Sequence, residues 1–295
     1  MKLQFIYLSL IVCSAIRAQA FEVHGHRGCR GVRPENTLPA FAAATEAGVH
    51  VLELDLQTTS DGVFVIHHDY FVNGKLIRDL SLSEIKMIDR GSQFDPKFPR
   101  QILAPAQIPT LQELFDLVRD KTVRLNLEIK RDPVTPSLTK SARELAQTLV
   151  NLVCEQGFSD RVYYSSFDPE VLTEVRKEDC SARIIFIIGN ESLSVARQLA
   201  PQNPMQLILN TASSFKAEAL APYHPLLDDQ TFLLFKNAGF RIIPWTVNDQ
   251  AEARALIEMG VDGLISDYPQ DLYFNNQSFL ECRRGKGQAD QNHAT

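Results

Sequence analysis

The amino-acid sequence predicts an α/β protein, an irregular TIM (β/α)8-type barrel. Strand-like runs of apolar and β-branched residues alternate with helical patterns along the 295 residues. This alternation is typical of a parallel sheet that is covered by helices. One barrel of this type uses about 250 residues. A composition of 44% hydrophobic and 22% charged residues is sufficient to form its core.

The strand candidates are nine short runs: residues 22–26, 51–56, 63–67, 123–129, 161–166, 183–188, 207–209, 241–247 and 263–265. A TIM barrel has eight strands, so one of the nine must lie outside the barrel. We expect the excluded run to be either 183–188 or 207–209.

Helical patterns separate most of these runs, at residues 37–47, 110–118, 137–153, 170–177, 192–199, 229–238 and 249–259. Thr110 is a good N-cap, and Glu113 stands at the position that completes a capping box. Gly48 follows the first helical pattern, where glycine commonly ends a helix.

Two connections interrupt the alternation. Residues 56–62 are too few for a helix, so this connection must be extended. A simple hairpin there would place His68 at the opposite end of the sheet from Asp55, whereas a strand that first retraces the barrel would bring the two together. The periodicity of the sequence does not decide between these two arrangements. Residues 70–108 have no clean period and read as a small insertion after the third strand run.

The N-terminus has the features of a signal peptide over residues 1–20. Lys2 supplies the charge, residues 5–12 are apolar, and Ala18-Gln19-Ala20 is a suitable cleavage site. The apolar run is too short for a permanent membrane span. We therefore expect a secreted or periplasmic protein, with the barrel at 21–280 and a polar tail at 281–295.

Export would permit disulfides, and four cysteines follow the cleavage site: Cys29, Cys154, Cys180 and Cys282. Cys154 ends a helical pattern and Cys180 precedes a strand run, so a barrel would place both where helices lead into strands. We therefore hypothesise a Cys154–Cys180 bridge, with two free thiols as the alternative.

Three acidic residues lie on strand runs and predict a cation site. Glu53 and Asp55 alternate with leucines, so both carboxylates point to one face of an apolar strand. Such a pair is costly unless a cation or another partner lies between the two groups. Glu128 repeats the pattern, with Lys130 on the same face. Carboxylate oxygens suit one Mg²⁺ or Ca²⁺, although a solvent-facing strand edge or a Glu128–Lys130 ion pair would also give these patterns.

Histidines at two strand ends could carry protons. His26 is followed by Arg27, whose guanidinium suits phosphate oxygens, and His68 directly follows the third run. Hydrolysis of a phosphodiester needs a base and an acid, and histidine titrates nearest neutrality. Trp245, the only tryptophan, could line an apolar wall or pack in the core. The formal net charge of −6, without a basic block, argues against nucleic acid as a partner.

Together the motifs resemble the glycerophosphodiester phosphodiesterase family. Seven segments occur in order: His26-Arg27-Gly28, Pro34-Glu35-Asn36-Thr37, Glu53-x-Asp55, His67-His68-Asp69, Glu128-Ile129-Lys130, Trp245-Thr246-Val247-Asn248 and the segment 260–267. Each motif alone is weak, but seven in order are specific. The departures from the family pattern are Cys29-Arg30 after His-Arg-Gly, and Ser266 where threonine is usual.

The resemblance implies metal-dependent hydrolysis of small glycerophosphodiesters to glycerol 3-phosphate and an alcohol. It implies Glu53, Asp55 and Glu128 as ligands of Mg²⁺ or Ca²⁺, and His26 and His68 as the acid/base pair. It also implies Arg27 and Lys130 at the phosphate, Trp245 in the pocket wall, and His68 beside Glu53. Water attack and a cyclic phosphate intermediate both stay open, as does the oligomeric state.

Features of the sequence suggest three other functions. Sphingomyelinase-D-like phospholipases share the HR…ExD…H arrangement, so a phospholipase D acting on lysolipid or sphingolipid head groups is the alternative. An amidohydrolase, suggested by His24-Gly25-His26, would need histidines on later strands, and none occurs between His68 and His224. A non-catalytic binding protein is disfavoured, because every polar group that the chemistry requires is present.

Overall fold

The computed structural model describes residues 20–272, so the predicted signal peptide up to residue 19 and the predicted polar tail lie outside it. The strands are β1 (Glu22–Gly25), β2 (Val51–Thr58), β3 (Phe64–Ile66), β4 (Phe71–Val72), β5 (Lys75–Leu76), β6 (Arg124–Ile129), β7 (Val162–Ser166), β8 (Ile184–Ile188), β9 (Ala219–Pro222), β10 (Arg241–Ile242) and β11 (Gly263–Ser266). The α-helices are α1 (Leu38–Glu46), α2 (Leu82–Ile85), α3 (Leu111–Val118), α4 (Ala142–Glu155), α5 (Pro169–Glu178), α6 (Asn190–Leu199), α7 (Pro204–Ser214), α8 (Asp229–Asn237) and α9 (Gln250–Met259).

Eight of the strands form a parallel barrel in the order β10-β9-β8-β7-β6-β2-β1-β11. The two ends of this order are joined by backbone hydrogen bonds, from Val247 N to Ile265 O at 2.9 Å and from Ile265 N to Pro244 O at 3.0 Å. Helices lie between consecutive barrel strands. The prediction of a TIM-type barrel is confirmed.

One predicted strand is a helix, and one barrel strand was missed. Residues 207–209 lie inside α7, where Ile208, Leu209 and Ala212 are buried at helical spacing. The run 183–188 contains the barrel strand β8. The missed strand is β9, which has only four residues. Helices α6 and α7 both connect β8 to β9, so this unit carries an additional helix.

The third strand run is also outside the barrel, since β3 pairs antiparallel with the end of β2. Strand β2 continues to Thr58, three residues beyond Asp55, and β3 returns along it. The His67 amide donates to the Asp55 carbonyl at 2.9 Å. The expectation that a hairpin would separate His68 from Asp55 is therefore wrong, because this short hairpin projects beyond the barrel end and brings the chain back.

The insertion that follows β3 packs over the loops at the C-terminal ends of the barrel strands. It contains the β4–β5 hairpin and α2 around a small core of Val65, Val72, Ile77, Leu80, Ile85 and Ile108. Arg78 donates to the carbonyl of Thr139 at 3.0 Å, and the Ile102 amide donates to the carbonyl of Val32 at 2.9 Å. The insertion is thus tied to the loops that follow β6 and β1.

Alternation along the strands separates an outer core from the barrel interior. On β2, the side chains of Leu52, Leu54 and Leu56 pack in the outer core that includes residues of the surrounding helices. The intervening carboxylates of Glu53 and Asp55 therefore face the interior. No helix among residues 20–272 is long and apolar enough to cross a membrane.

The structure contains Cys154 and Cys180 as free, exposed thiols. The hypothesis of a bridge between them is therefore wrong, and the alternative of two free cysteines holds. Cys282 lies outside the described residues. Cys29 is a buried free thiol whose Sγ donates to the Gln270 side-chain oxygen at 3.0 Å.

Candidate active site

Three carboxylates converge at the C-terminal end of the barrel interior. Glu53 and Asp55 lie on β2, and Asp55 is in register with Glu128 on β6. One oxygen from each residue lies within 4.8 Å of the others. All three side chains are buried. The sequence prediction that these acids lie together is correct in its geometry.

The charges of this carboxylate cluster are incompletely balanced. Burial, together with the charges of Asp55 and Glu128, raises the pKa of Glu53 well above its usual value. The pKa of Asp55 is well below its usual value, because Arg27, Lys130 and His68 outweigh the effect of burial. Asp55 Oδ1 is buried and has no hydrogen-bond partner. A buried oxygen that accepts no hydrogen bond, next to two further carboxylates, fits a hard divalent cation.

Arg27 connects the loop after β1 to the carboxylate cluster. Its backbone is left-handed, with φ of 50°, and its amide donates to Glu53 Oε2 at 2.8 Å. Its Nε lies 3.1 Å from Asp55 Oδ2, and its NH1 donates to both Glu35 oxygens at 3.0 Å. Burial opposes the positive charge, but Asp55 and Glu35 outweigh it and raise the pKa of Arg27. The guanidinium is therefore held permanently charged beside the cluster.

The residue after Arg27, Gly28, must be a glycine because of its backbone conformation and its close packing. Its φ is +85°, and a Cβ there would lie 2.7 Å from the carbonyl carbon of Ala40 on α1. Only glycine allows this left-handed turn to pack so closely on the helix. This turn holds the Arg27 amide in its hydrogen bond to Glu53.

Lys130 lies beyond Glu128 at the end of β6. Its Nζ donates to Glu128 Oε1 at 2.7 Å and lies 3.5 Å from Asp55 Oδ1. Burial disfavours the ammonium, yet Glu128 and Asp55 outweigh it and raise the pKa of Lys130. Lys130 thus adds a second fixed positive charge, and its contact with a substrate phosphate remains a prediction.

His26 is held by an acid that the sequence prediction did not assign. His26 Nδ1 lies 2.6 Å from Asp267 Oδ1, and its Nε2 lies 4.0 Å from Glu53 Oε2. Burial lowers the pKa of His26, although the hydrogen bond to Asp267 opposes this effect. A neutral His26 that donates from Nδ1 to Asp267 leaves the Nε2 lone pair free on the side of Glu53.

Asn248 fixes Asp267 in turn. The Asn248 side-chain amide donates to Asp267 Oδ2 at 2.8 Å, and its oxygen accepts from the Asp267 amide at 2.9 Å. Asn36 has a similar role at the carboxylate cluster, since it donates to Asp55 Oδ2 at 2.8 Å. All three residues occur in the motifs quoted above, but only their contacts reveal these roles.

His68 reaches the same site from the β3 return. Its side chain is 35% exposed, and Nδ1 lies 2.7 Å from Asp69 Oδ1. That hydrogen bond lowers the pKa of Asp69 to about 2, although partial burial opposes this effect. His68 is therefore paired with an ionised acid, as His26 is, but it is more open to solvent.

The catalytic cavity has a volume of about 110 Å³. Seven of the eight sequence-predicted site residues line it: His26, Arg27, Glu53, His68, Glu128, Lys130 and Trp245. The eighth, Asp55, belongs to the carboxylate cluster on its wall. Trp245 donates from Nε1 to the carbonyl of Ala221 at 2.8 Å, and its ring meets Phe167 edge-on at 5.5 Å. The two rings form an apolar wall beside the polar groups.

A family model described as the glycerophosphoryl diester phosphodiesterase family matches residues 26–271. The chain belongs to this family. The match includes every residue of the carboxylate cluster and both histidines. The resemblance seen in the motifs is therefore confirmed over nearly the whole described chain.

Individual relatives agree with the family assignment. A glycerophosphodiester phosphodiesterase of Caldanaerobacter subterraneus is 33% identical over 256 residues, which cover 85% of this chain and 95% of the relative. An Oleispira antarctica phosphodiesterase, solved with the product sn-glycerol-3-phosphate, has a TM-score of 0.71 at 26% identity and covers 88% and 96% of the two chains. A glycerophosphodiester phosphodiesterase of Thermotoga maritima has a TM-score of 0.63 at 26% identity and covers 85% and 96%.

These matches support enzymatic activity on phosphodiesters for this chain. The barrel, the acidic cluster and the paired histidines are the parts that such a glycerophosphodiester phosphodiesterase requires.

Proposed function

We propose that this protein hydrolyses glycerophosphodiesters to glycerol 3-phosphate and an alcohol, with one divalent cation. The observation that carries this proposal is the placement of Glu53, Glu128, His26 and His68 around one cavity. Such a site offers a cation, a base and an acid within reach of one phosphodiester.

Glu53, Asp55 and Glu128 would hold the cation, and their all-oxygen donor set suits Mg²⁺ or Ca²⁺. When bound, the cation polarises the phosphoryl group. Arg27 and Lys130 add fixed positive charge beside it. Together they compensate the net negative charge of the chain at the place where an anionic substrate must bind.

His26 is the general base in this proposal, and His68 is the general acid. His26 has a lowered pKa and is oriented by Asp267, so its Nε2 can accept the proton of the attacking oxygen. The attacking oxygen bonds to phosphorus, and the bond from phosphorus to the leaving alkoxide breaks. His68, at the more open side of the cavity, gives its proton to that alkoxide.

Product analysis tests this assignment. Purified protein is incubated with glycerophosphocholine, and the products are identified by phosphorus NMR. Glycerol 3-phosphate and choline are expected. Phosphocholine and glycerol would place the cleavage on the other side of phosphorus and contradict the proposal. A cyclic glycerol phosphate at early times would identify a substrate hydroxyl, rather than water, as the first attacking group.

We infer that the protein is exported and acts in the periplasm or outside the cell. Strand β1 begins at Glu22, two residues after the predicted cleavage site at Ala20. Removal of residues 1–20 would therefore leave the barrel whole. The N-terminal mass of the protein recovered from a periplasmic or culture-medium fraction is expected to begin at Phe21, and an intact Met1 there would contradict cleavage.

A further inference from the structure

Two aromatic rings meet almost at a right angle at the edge of the catalytic cavity. The Phe167 and Trp245 rings are inclined at 85°, with their centres 5.5 Å apart. Both line the catalytic cavity, and Phe167 also lines a larger cavity of about 680 Å³ beside it, which we call the adjoining cavity. The hydrogen bond from Trp245 to the carbonyl of Ala221 fixes the indole. The two rings are therefore preformed walls where the cavities meet.

A carboxylate lies against the same two rings. Gly189 stands between β8 and α6, and a Cβ at this position would lie 3.1 Å from Glu191 Oε2. The same Cβ would lie 3.2 Å from Phe167 Cε1 and 3.8 Å from Trp245 Cζ2. The carboxylate and both rings therefore converge on one point, which a side chain at residue 189 would crowd. We call Glu191, Phe167 and Trp245 the acid–aromatic corner.

Glu191 has no cation of the protein as its partner. None of the ion pairs among residues 20–272 involves it, and the residue is exposed. The basic side chains that line the adjoining cavity are already paired. Lys130 Nζ lies 2.7 Å from Glu128 Oε1, and Arg131 NH1 lies 2.9 Å from Glu170 Oε2. The Glu191 carboxylate is thus available to a cation of a ligand.

Aromatic rings and a carboxylate together recognise an aliphatic ammonium ion. The faces of aromatic rings attract a cation through their quadrupole, and clusters of such rings bind quaternary ammonium ligands. An ammonium already lies against one of these rings, since Lys130 Nζ is 5.9 Å from the centre of the Phe167 ring. A second ammonium would bind on the side of Trp245 and Glu191. An anionic group would be repelled there by Glu191, and the hydroxyl groups of a neutral alcohol would find few hydrogen bonds at two apolar rings.

The charges of the site change sign from the catalytic cavity outward. Arg27 and Lys130 give the catalytic cavity two fixed positive charges, which suit the phosphate of a diester. Glu191 and Asp132 are acidic, and they line the adjoining cavity and not the catalytic one. A diester with an anionic phosphate and, a few bonds away, a cationic ammonium group matches this order of charges.

The small volume of the catalytic cavity makes a substituent of the diester reach the corner. The cavity has about 110 Å³, against about 680 Å³ for the adjoining cavity. The cation and the phosphoryl group would take up much of the smaller space. A substituent on phosphorus must then extend past Phe167, which borders both cavities, and so meets Glu191.

We propose that the acid–aromatic corner binds the head group of the substrate and makes the protein selective for diesters whose alcohol carries an ammonium group. Diesters of neutral alcohols of the same size would be poorer substrates. This subsite rests on the proposed function, because the diester is cleaved in the catalytic cavity. Glu191 adds no step to the cleavage; it is a specificity residue that holds the charged end of the alcohol.

A neutral isostere of choline tests this selectivity. Glycerophosphocholine is compared with the diester in which a tert-butyl group replaces the trimethylammonium group, so that the shape is kept and the charge is lost. The value of kcat/KM is expected to be about tenfold higher for the choline diester. The difference should lie in KM rather than kcat, because the ammonium contacts do not change during cleavage. Equal values for the two diesters, or a preference for the neutral one, would overturn the subsite.

Glu191→Gln removes the charge of the corner and keeps its shape. It should lower the preference for the choline diester about two- to fivefold. Glu178→Gln is the matched control, because Glu178 at the end of α5 is also exposed and lines neither cavity. It should keep the wild-type preference. A preference that persists in full in Glu191→Gln, or that falls equally in Glu178→Gln, would contradict the role of Glu191.

Binding of a free ammonium ion separates this subsite from the proposed function. Trp245 is the only tryptophan of the chain, so tryptophan fluorescence reports on the corner. Tetramethylammonium chloride should change this fluorescence in a saturable way that sodium chloride at the same ionic strength does not reproduce, and Glu191→Gln should raise the Kd. Such binding without turnover of any diester would contradict the proposed function but support the subsite. Turnover of glycerophosphocholine without saturable binding and without selectivity over the isostere would do the reverse.

Discussion

His26 Nδ1 lies 2.6 Å from Asp267 Oδ1, although 241 residues separate the two in the chain. The contact joins the segments that follow the first and the last strand of the barrel, since β1 and β11 are neighbours in the sheet. His26 directly follows β1, and Asp267 directly follows β11. The acid thereby determines which nitrogen of His26 faces the carboxylate cluster.

Asp267→Asn should lower kcat by about 10²–10⁴-fold, because it removes the acid that orients and strengthens the base. The acidic limb of the pH–rate profile is also expected to move. His26 must be neutral to act, and its pKa already lies below the usual value, so the wild-type limb should fall below about pH 6.5. Loss of the Asp267 charge should shift it lower still.

Asp271→Asn is a suitable control for that variant. Asp271 pairs with Arg100 at 2.7 Å on the same face of the barrel. Loss of this ion pair should leave the His26–Asp267 contact intact. It should keep both the rate and the acidic limb. An unchanged pH profile in Asp267→Asn, even with a lower rate, would mean that Asp267 supports only the fold around His26.

Cation binding should release a proton. The pKa of Glu53 is raised by burial and by its two acidic neighbours, so Glu53 of the metal-free protein holds a proton to higher pH than an ordinary glutamate does. The cation must displace this proton, and its affinity should fall as the pH is lowered through the raised pKa. Calorimetry in two buffers of different ionisation enthalpy measures the release.

Glu53→Gln should abolish this proton release and weaken cation binding. Glu174→Gln is the comparison, since Glu174 pairs with Lys177 on α5 at 2.5 Å and lies outside the cluster. It should leave cation affinity and proton release as in the wild type. Equal proton release in Glu53→Gln and the wild type would assign the titrating group elsewhere.

The two histidines should respond differently to the leaving group. His68→Ala is expected to lose about 10²–10⁴-fold in rate with glycerophosphocholine, because the alkoxide needs a proton. With bis(p-nitrophenyl) phosphate the loss should be much smaller, since p-nitrophenolate leaves without one. His26→Ala should lose activity with both substrates. Equal losses in both variants with both substrates would argue against separate acid and base roles.

Tyr163 should matter for stability but not for catalysis. It lies on β7 in the barrel interior, and its hydroxyl accepts from Arg124, Arg183 and Arg241 at 2.8, 2.6 and 3.1 Å. It is also 3.2 Å from both Glu22 oxygens. Tyr163→Phe removes these hydrogen bonds, while Glu22 and the arginines keep ion pairs among themselves and with Glu218. We therefore expect a loss of about 1 kcal/mol in the free energy of unfolding.

Urea unfolding of the wild type and of Tyr163→Phe measures this difference. The value of kcat/KM should stay the same, because Glu22 begins β1 and Arg241 begins β10, at the end of the barrel away from the carboxylates. A large loss of activity in a stable variant would contradict the separation between the two ends.

The strands that alternate strongly could be predicted from the sequence, and with them the carboxylate cluster. Leu52, Leu54 and Leu56 fix which face of β2 is apolar, so the position of Glu53 and Asp55 follows. Strand β9 was not predictable in this way, because its four residues, Ala219–Pro222, show no alternation. Its pairing with β8 and β10 decides its structure.

Other errors arose where local patterns are ambiguous. The run 207–209 is too short for its period to distinguish a strand from a helix. Burial of its apolar side chains as part of α7 determines that it is helical. The place of His68 depended on how far β2 continues past Asp55, which periodicity does not encode. Asp267 and Asn248 were visible as motif residues, but their contact with His26 requires the barrel to close.

The most direct test of the central claim measures release of glycerol 3-phosphate from glycerophosphocholine by cation-free protein, with and without added Mg²⁺ or Ca²⁺. We expect negligible turnover after chelation, recovery when the cation returns, and no recovery in Glu128→Gln. Turnover that persists in chelated protein at the rate of the cation-loaded protein would contradict a function for the cluster of Glu53, Asp55 and Glu128.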